Sequence, residues 1–205
     1  MFTGIVQGKA RVDSIISRPG LNTLVIELPA ACTDHVAIGA SVAINGTCLT
    51  VTRQEGNRLW FDAMQETLQL TTLGNLADNA TVNFERAARI GDEIGGHLLS
   101  GHIHTTAEVV KIERPENNCT LYFKVPQAWM KYVFAKGYIA VNGASLTIGE
   151  VTEDTFNVHL IPETLRMTTF GELKEGDQVN LEIDSQTQTI VDTLARMGYT
   201  GPAAV

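Results

Sequence analysis

Ser41 to Val51 reads S-V-A-I-N-G-T-C-L-T-V, and Tyr138 to Ile148 reads Y-I-A-V-N-G-A-S-L-T-I. Asn-Gly between two alternating apolar runs marks a two-residue type I′ hairpin, because both central positions need positive φ. With Asn45 and Gly46 at the turn, Ala43 faces Cys48 and Ser41 faces Thr50, while Val42 faces Leu49 and Ile44 faces Thr47. One face of the ribbon is apolar, and the other carries a thiol and hydroxyls. The second hairpin repeats this, with Ala140 opposite Ser145 and Tyr138 opposite Thr147. A lone hairpin of this kind simply turns its hydroxyls to water. Two copies of it argue for a use.

Working outward, a displacement of 97 residues lays positions 1–88 on 98–185 without a gap, and 24 positions are identical. Ordinary composition gives about five by chance. The identities gather at Gly4/Gly101, Asn45-Gly46/Asn142-Gly143, Leu49-Thr50/Leu146-Thr147, Glu66-Thr67-Leu68/Glu163-Thr164-Leu165 and Val82-Asn83-x-Glu85/Val179-Asn180-x-Glu182. The period exceeds that of a solenoid repeat, so the chain reads as a duplicated domain. Its expected divisions are 1–97 (first barrel with linker), 98–185 (second barrel) and 186–205 (helix and tail).

Each copy shows short strands between Gly and Asn turns. In the first copy these are Ile5 to Ile16, Leu24 to Leu28, the two hairpin strands, Leu59 to Met64, and Thr81 to Glu85. That spacing predicts a mostly β chain of two tandem six-stranded Greek-key barrels. Short helical pieces fit Pro29 to His35, Pro126 to Phe134, Glu66 to Leu70 and Glu163 to Met167, and Arg86 to Leu99 reads as a loop. A C-terminal helix follows over Thr189 to Met197, with Ile190, Val191, Leu194 and Met197 on one face and Gly198 as its stop. Such a face packs on the second barrel or on helices of other subunits. Tyr199 to Val205 reads as a disordered tail.

The chain is 44% hydrophobic and 19% charged, with a net charge of −8. No cluster of Lys and Arg is present to neutralise phosphates, which argues against nucleic acid and anionic membrane as partners. No apolar run reaches the roughly 18 residues of a membrane span, and Met1-Phe2-Thr3-Gly4 lacks a basic leader, so the expected location is cytoplasmic. Cys32, Cys48 and Cys119 are odd in number and lack C-x-x-C spacing, pointing to neither a disulfide framework nor zinc.

A barrel mouth carrying Gly4, Ser41, Cys48, Thr50, Asp62 and Thr67 suits a neutral planar heterocycle with carbonyl and N–H groups. The second mouth repeats it with Gly101, Ser145, Thr147, His159 and Thr164. Neither a P-loop nor a strand-borne G-x-G-x-x-G is present, so a phosphate-bearing nucleotide is not expected. The copies differ where chemistry needs asymmetry: Ile5 becomes His102, and Cys48 becomes Ser145. Histidine is the usual proton carrier near neutrality and an activated thiol is a nucleophile. The bland alternative makes Cys48 a small buried hydrophobe and His102 a satisfied histidine. His97 and His104 read as structural, since their spacing with His102 matches no metal motif.

The opening M-F-T-G-I-V-Q-G, the hairpins N-G-T-C-L-T-V and N-G-A-S-L-T-I, G-G-H-L-L-S-G-H at Gly95 to His102 and the paired E-T-L segments together resemble the riboflavin synthase alpha-chain family. The resemblance runs from Met1 to about Thr193. It implies a dismutation in which one 6,7-dimethyl-8-ribityllumazine gives a four-carbon unit to another, forming riboflavin and 5-amino-6-ribitylaminouracil without a cofactor or metal. It also implies one lumazine per barrel, a homotrimer in which the first barrel of one subunit faces the second barrel of its neighbour, and lumazine synthase as a partner. Carried over by motif, Gly4, Ile5, Val6, Cys48, Leu49, Thr50, Asp62, Ala63, Met64, Gln65, Glu66 and Thr67 line the first pocket. Gly101, His102, Ile103, Ser145, Leu146, Thr147, Leu160, Ile161, Pro162, Glu163, Thr164 and Leu165 line the second, and Lys136 reaches across a subunit boundary. Expected catalytic residues are Cys48, Ser41, His102, Ser145 and Thr147, with His102 moving a proton and Cys48 with Ser41 serving the acceptor lumazine. Thr47 stands where some members have a second cysteine, and Asn142 where many have an aspartate. Fluorescent antenna proteins of the same double-barrel kind are the competing reading. They keep one usable pocket, whereas both hairpins are complete here.

Overall fold

The computed structural model describes residues 1–199, so the expected tail beyond Tyr199 lies outside the described residues. The first half forms β1 (Gly8–Arg18), β2 (Leu21–Glu27), β3 (Ser41–Ile44), β4 (Thr47–Glu55), β5 (Arg58–Met64) and β6 (Thr81–Arg86). These close into a barrel of order β1-β2-β5-β4-β3-β6. The second half forms β7 (Thr105–Glu113), β8 (Cys119–Lys124), β9 (Tyr138–Val141), β10 (Ala144–Thr147), β11 (Thr155–Leu160) and β12 (Gln178–Ile183). Their order β10-β9-β12-β7-β8-β11 is the same, and the barrel is nearly closed, with the seam between β10 and β11 bridged only past the end of β10.

The hairpin registers are as expected. Ser41 pairs with Thr50 and Ala43 with Cys48, and Tyr138 pairs with Thr147 and Ala140 with Ser145. Asn45 and Gly46 have φ of 45° and 80°, and Asn142 and Gly143 have 43° and 83°, the positive values a type I′ turn demands. The irregular seam has a local cause. β4 runs on to Glu55, whereas β10 stops at Thr147. Just beyond it the pairing is irregular: Gly149 N donates to Asn157 O at 2.8 Å and Asn157 N to Glu150 O at 3.0 Å, while the Glu150 amide turns to Asn157 Oδ1 at 2.9 Å, so the seam is bridged without a continuous ladder.

Inward positions are apolar in both copies, as the period-2 alternation of half-buried strands requires. Ile26, Phe61 and Phe84 fill the first barrel where Phe123, Val158 and Leu181 fill the second, and all six are fully buried. The aromatic volume moves between strands while the total is roughly kept, the kind of exchange a close-packed core tolerates.

Two helical turns, α1 (Gln65–Leu70) and α3 (Pro162–Met167), follow β5 and β11, and α2 (Gln127–Met130) follows β8. The piece expected over Pro29 to His35 contracts to a 3₁₀ turn at Ala30–Cys32. The terminal helix α4 (Ser185–Arg196) begins earlier than expected, because Asp184 caps it by accepting from the Thr187 amide at 2.9 Å. Its four apolar residues divide. Val191 packs on the second barrel's core, the Tyr132 hydroxyl bonds Asp192, and His104 Nε2 meets Gln188 at 3.0 Å. Ile190, Leu194 and Met197 remain exposed.

One expectation fails in a consequential way. The strand predicted from Ile5 starts only at Gly8, because the residues before it, although still held to β6 at Phe84 and Glu85, run across to the other barrel. Phe2 pairs with Leu99 in both directions at 2.8 and 3.0 Å, Gly4 O accepts from the Ser145 amide at 2.8 Å, and Val6 is buried in the second barrel's core. The equivalent segment of the second half crosses back, with Gly101 O accepting from the Cys48 amide at 2.9 Å. Alternation continues through Val6 because that side chain is buried, only in the other barrel.

The barrels meet turn to turn about a local twofold. A Cβ at Gly46 would stand 2.6 Å from the Gly143 nitrogen. Around this contact Asn83 Nδ2 donates to Asn142 O at 3.0 Å and Asn180 Nδ2 to Asn45 O at 2.8 Å. Their Oδ1 atoms accept from the Thr169 and Thr72 amides at 2.8 and 2.7 Å.

Candidate functional site

Each hairpin mouth is completed by a strap from the other half, which exchanges the expected grouping of pocket residues. Gly4, Ile5 and Val6 stand with Ala144, Ser145 and Leu146 and with Glu163 and Thr164 of α3 around a cleft of about 300 Å³. By the same geometry Gly101 stands against Cys48 of the first barrel, with His102 and Ile103 next along the strap. The Cys48 hairpin and the strap that carries His102, expected on different lumazines, therefore meet.

The straps are held by buried carboxylates. Glu85 accepts from the Thr3 amide at 2.6 Å, the Thr3 hydroxyl at 2.8 Å and the Gly4 amide at 3.1 Å. Glu182 does the same for Ser100 and Gly101, at 2.7, 2.8 and 3.1 Å. Burial pushes the Glu85 carboxyl above the ordinary glutamate value, and the Thr3 and Gly4 donors pull the other way. Gly4 and Gly101 lie at φ +75° and +81°, and a Cβ on either would stand 2.5 Å from the Cβ of Ser145 or Cys48. Only glycine lets the strap backbone reach the hairpin.

The other expected residues sort by exposure. Asp62, Met64, Gln65 and Glu66 are exposed and Thr67 half-buried at the rim of the first mouth. Ile161, Pro162 and Glu163 are exposed and Thr164 and Leu165 half-buried at the second. Ala63 and Leu160 face the barrel cores at 1% exposure, leaving only backbone for a ligand. The counterparts Asp62 and His159 hold equivalent hydroxyls, Thr23 at 2.6 Å and Thr120 at 3.0 Å. Ser41 and Cys48 are half-buried, Leu49 is buried, and Thr50, Thr147, His102 and Lys136 are exposed. Asn142 is buried at the turn, where its Oδ1 accepts from the Asn180 amide at 2.8 Å. An aspartate there would supply the same acceptor, so the exchange is tolerable to the fold.

One residue read as structural lies at the site. His97, at 8% exposure, places Nδ1 2.6 Å from Ser145 Oγ and stacks on Tyr138 with centroids 5.1 Å apart. Burial holds its imidazole below the usual histidine range, with Asp184 opposing. Nothing in its spacing pointed there. The carboxylate clamps did leave a signal, since Glu85 and Glu182 are retained in both copies at a buried strand position.

Two barrels whose mouths are each finished by the other half, presenting a thiol, hydroxyls and backbone amides, define a duplicated small-ligand-binding protein. The Lumazine binding domain family matches residues 3–87 and again 100–184, and the chain belongs to it. Among its relatives, the riboflavin synthase of Escherichia coli (strain K12) is 57% identical over 198 residues, covering 96% of this chain and 93% of its own length. Among solved structures, LumP complexed with riboflavin superposes with a TM-score of 0.85 at 29% identity, and LumP complexed with 6,7-dimethyl-8-(1'-D-ribityl) lumazine with 0.83 at 29%. Each covers 90% of this chain and 100% of the LumP chain.

Proposed function

We infer that the chain is an enzyme with riboflavin synthase activity, converting two molecules of 6,7-dimethyl-8-ribityllumazine into riboflavin and 5-amino-6-ribitylaminouracil by transfer of a four-carbon unit. The observation that carries this is the 57% identity to a riboflavin synthase over nearly the full length, together with two complete mouths. The reaction needs a proton taken from the C7 methyl of one lumazine and a nucleophile added at C7 of the other. Holding the two rings in register supplies much of the rate, since orientation alone is worth about 7–11 kcal/mol in favourable cases.

The exchanged straps revise the division of labour. The first pocket consists of Cys48–Thr50, Asp62–Thr67 and Gly101–Ile103, and the second of Ser145–Thr147, Leu160–Leu165 and Gly4–Val6. His102 then moves a proton at the same lumazine to which Cys48, or a water oriented by Cys48 and Ser41, adds. Ser145 and Thr147 address the other. The sequence divisions 1–97, 98–185 and 186–205 serve as the first barrel with linker, the second barrel, and the helix and tail that join subunits. The exposed Ile190, Leu194 and Met197 support a homotrimer built through α4, with Lys136 reaching the neighbour. Leu194→Asp should dissociate it by analytical ultracentrifugation. Cytoplasmic residence goes with three thiols that form no disulfide among them, and association with lumazine synthase is tested by pull-down.

The deciding experiment incubates the purified protein with 6,7-dimethyl-8-ribityllumazine and follows riboflavin by absorbance, beside Cys48→Ser and His102→Gln. Turnover in the parent is expected, with a loss on the order of 10²-fold in His102→Gln, the lower end for a general acid or base. Because both groups share one pocket, the double variant should lose less than the product of the single losses. Tight lumazine binding without riboflavin would instead make this a binding protein like the LumP structures it resembles.

A further inference from the structure

The two mouths share the strap glycine, the carboxylate clamp and the bond from hairpin to strap, and they differ at the linker. Ser145 and its counterpart Cys48 are each pressed by a strap glycine. Ser145 also meets the linker's Gly96 and His97, where a Cβ at Gly96 would stand 2.6 Å from its own Cβ and His97 Nδ1 lies 2.6 Å from its Oγ, whereas Cys48 packs against the apolar cluster of Phe2 and Leu99. His97 lies in the linker, outside the repeat that lays 1–88 on 98–185, so the duplication itself does not account for it. The ring is fixed on three sides: stacked on Tyr138, bonded at Nδ1, and buried with Nε2 lacking a partner. A buried N–H without an acceptor is rarer than a buried bare lone pair. We therefore assign the proton to Nδ1, which then donates to Ser145 Oγ.

Resting on the riboflavin synthase reading, we propose that His97 is a positioning residue of the second pocket, its Nδ1–H holding the Ser145 oxygen so that the hydroxyl proton points to an acceptor on the bound heterocycle. A serine hydroxyl has one donor and two lone pairs. Once His97 occupies a lone pair, the donor is left for the ligand, and a donor already receiving a hydrogen bond is the stronger for it. A ring carbonyl or unprotonated ring nitrogen is the matching ligand atom. The first pocket offers the Cys48 thiol at the equivalent place, a weak donor with no imidazole behind it. The asymmetry between the lumazine sites thus lies in the linker as well as in the hairpins.

The groups facing His97 are Ser145 from β10, Tyr138 from β9 and Asp184 at the start of α4. The test compares His97→Phe, His97→Asn, Ser145→Ala and the double variant His97→Phe/Ser145→Ala. Readouts are titration with 6,7-dimethyl-8-ribityllumazine, kcat and KM for riboflavin formation, and thermal melting. In His97→Phe one of the two binding events should weaken about tenfold, the size of one lost hydrogen bond, while the other stays within twofold. Asparagine carries its amide near the Nδ1 position and should recover most of the loss. In the Ser145→Ala background, His97→Phe should change nothing further. The proposal is overturned if His97→Phe binds both lumazines like the parent, if both events weaken together, or if its loss persists undiminished without Ser145. Should His97→Phe not fold, failure of His97→Asn to keep parental affinity at both sites, or equal weakening of both, overturns it. A parent that binds lumazine but forms no riboflavin removes the functional reading, while the titrations still decide the role of His97.

Discussion

At the scale of single residues, the straps depend on two glycines and two carboxylates. Gly4→Ala would force a side chain into a positive-φ backbone and against Ser145, which should cost about 1–3 kcal/mol for the strain with a similar amount for overpacking. Gly20 has φ +76° with nothing within 4 Å of a Cβ, so Gly20→Ala bears the backbone strain alone. Urea unfolding of the two variants separates these contributions, and only Gly4→Ala should also weaken lumazine binding. Glu85 makes a prediction in pH. Its folded carboxyl is raised above the ordinary value of 4.5, so the folded protein holds a proton that the unfolded chain has already released. Its contribution to stability is complete below 4.5 and is lost as pH rises through the raised value. Glu85→Gln should remove this fall, leaving a flatter stability profile above pH 4.5 in denaturant titrations buffered across that range.

At the scale of elements, the asparagines beside the turns join the barrels without apolar mass. Asn83→Ala would leave Asn142 O and the Thr169 amide without their partner, and Asn180→Ala would do so for Asn45 O and Thr72. Each orphaned buried group costs about 1–3 kcal/mol, so either variant should lower the urea midpoint clearly. If the midpoint of both stays parental, the turn contact rests on something else. The hairpins themselves were legible in the sequence because a period of two and an Asn-Gly turn are local signals. Their registers Ser41↔Thr50 and Tyr138↔Thr147 followed from counting. What was not legible was destination. Ile5 and Val6 continue the alternation of β1, and alternation says that Val6 is buried without saying in which barrel. The sequence grouped Gly4 to Val6 with Cys48 and Gly101 to Ile103 with Ser145, whereas the backbone sets Gly4 beside Ser145 and Gly101 beside Cys48. His97 escaped because its partner, Ser145, is 48 residues away and no spacing rule connects them. The helix α4 fell between these cases: its periodicity was plain, while Val191 turning inward and Leu194 outward is decided by the tertiary contact at Tyr132 and Asp192.

At the scale of the whole molecule, the halves are bound by mutual exchange, and the segment joining them is nearly free of that work. Residues 88–95 form no regular strand, and Ile90 is fully exposed. A short tether of about eight residues holds its two ends at an effective concentration in the millimolar range. What the covalent link contributes is therefore proximity, while the straps, the carboxylate clamps and the asparagines contribute the affinity. A single proteolytic cut near Ile90 should leave two fragments that still migrate as one particle, bind lumazine, and separate only on dilution or in denaturant. Fragments that part at once on a sizing column would show the tether carrying the association. A protein so built behaves as a dimer that happens to be written on one strand, and either half is free to change its chemistry so long as it keeps the arm it lends to the other.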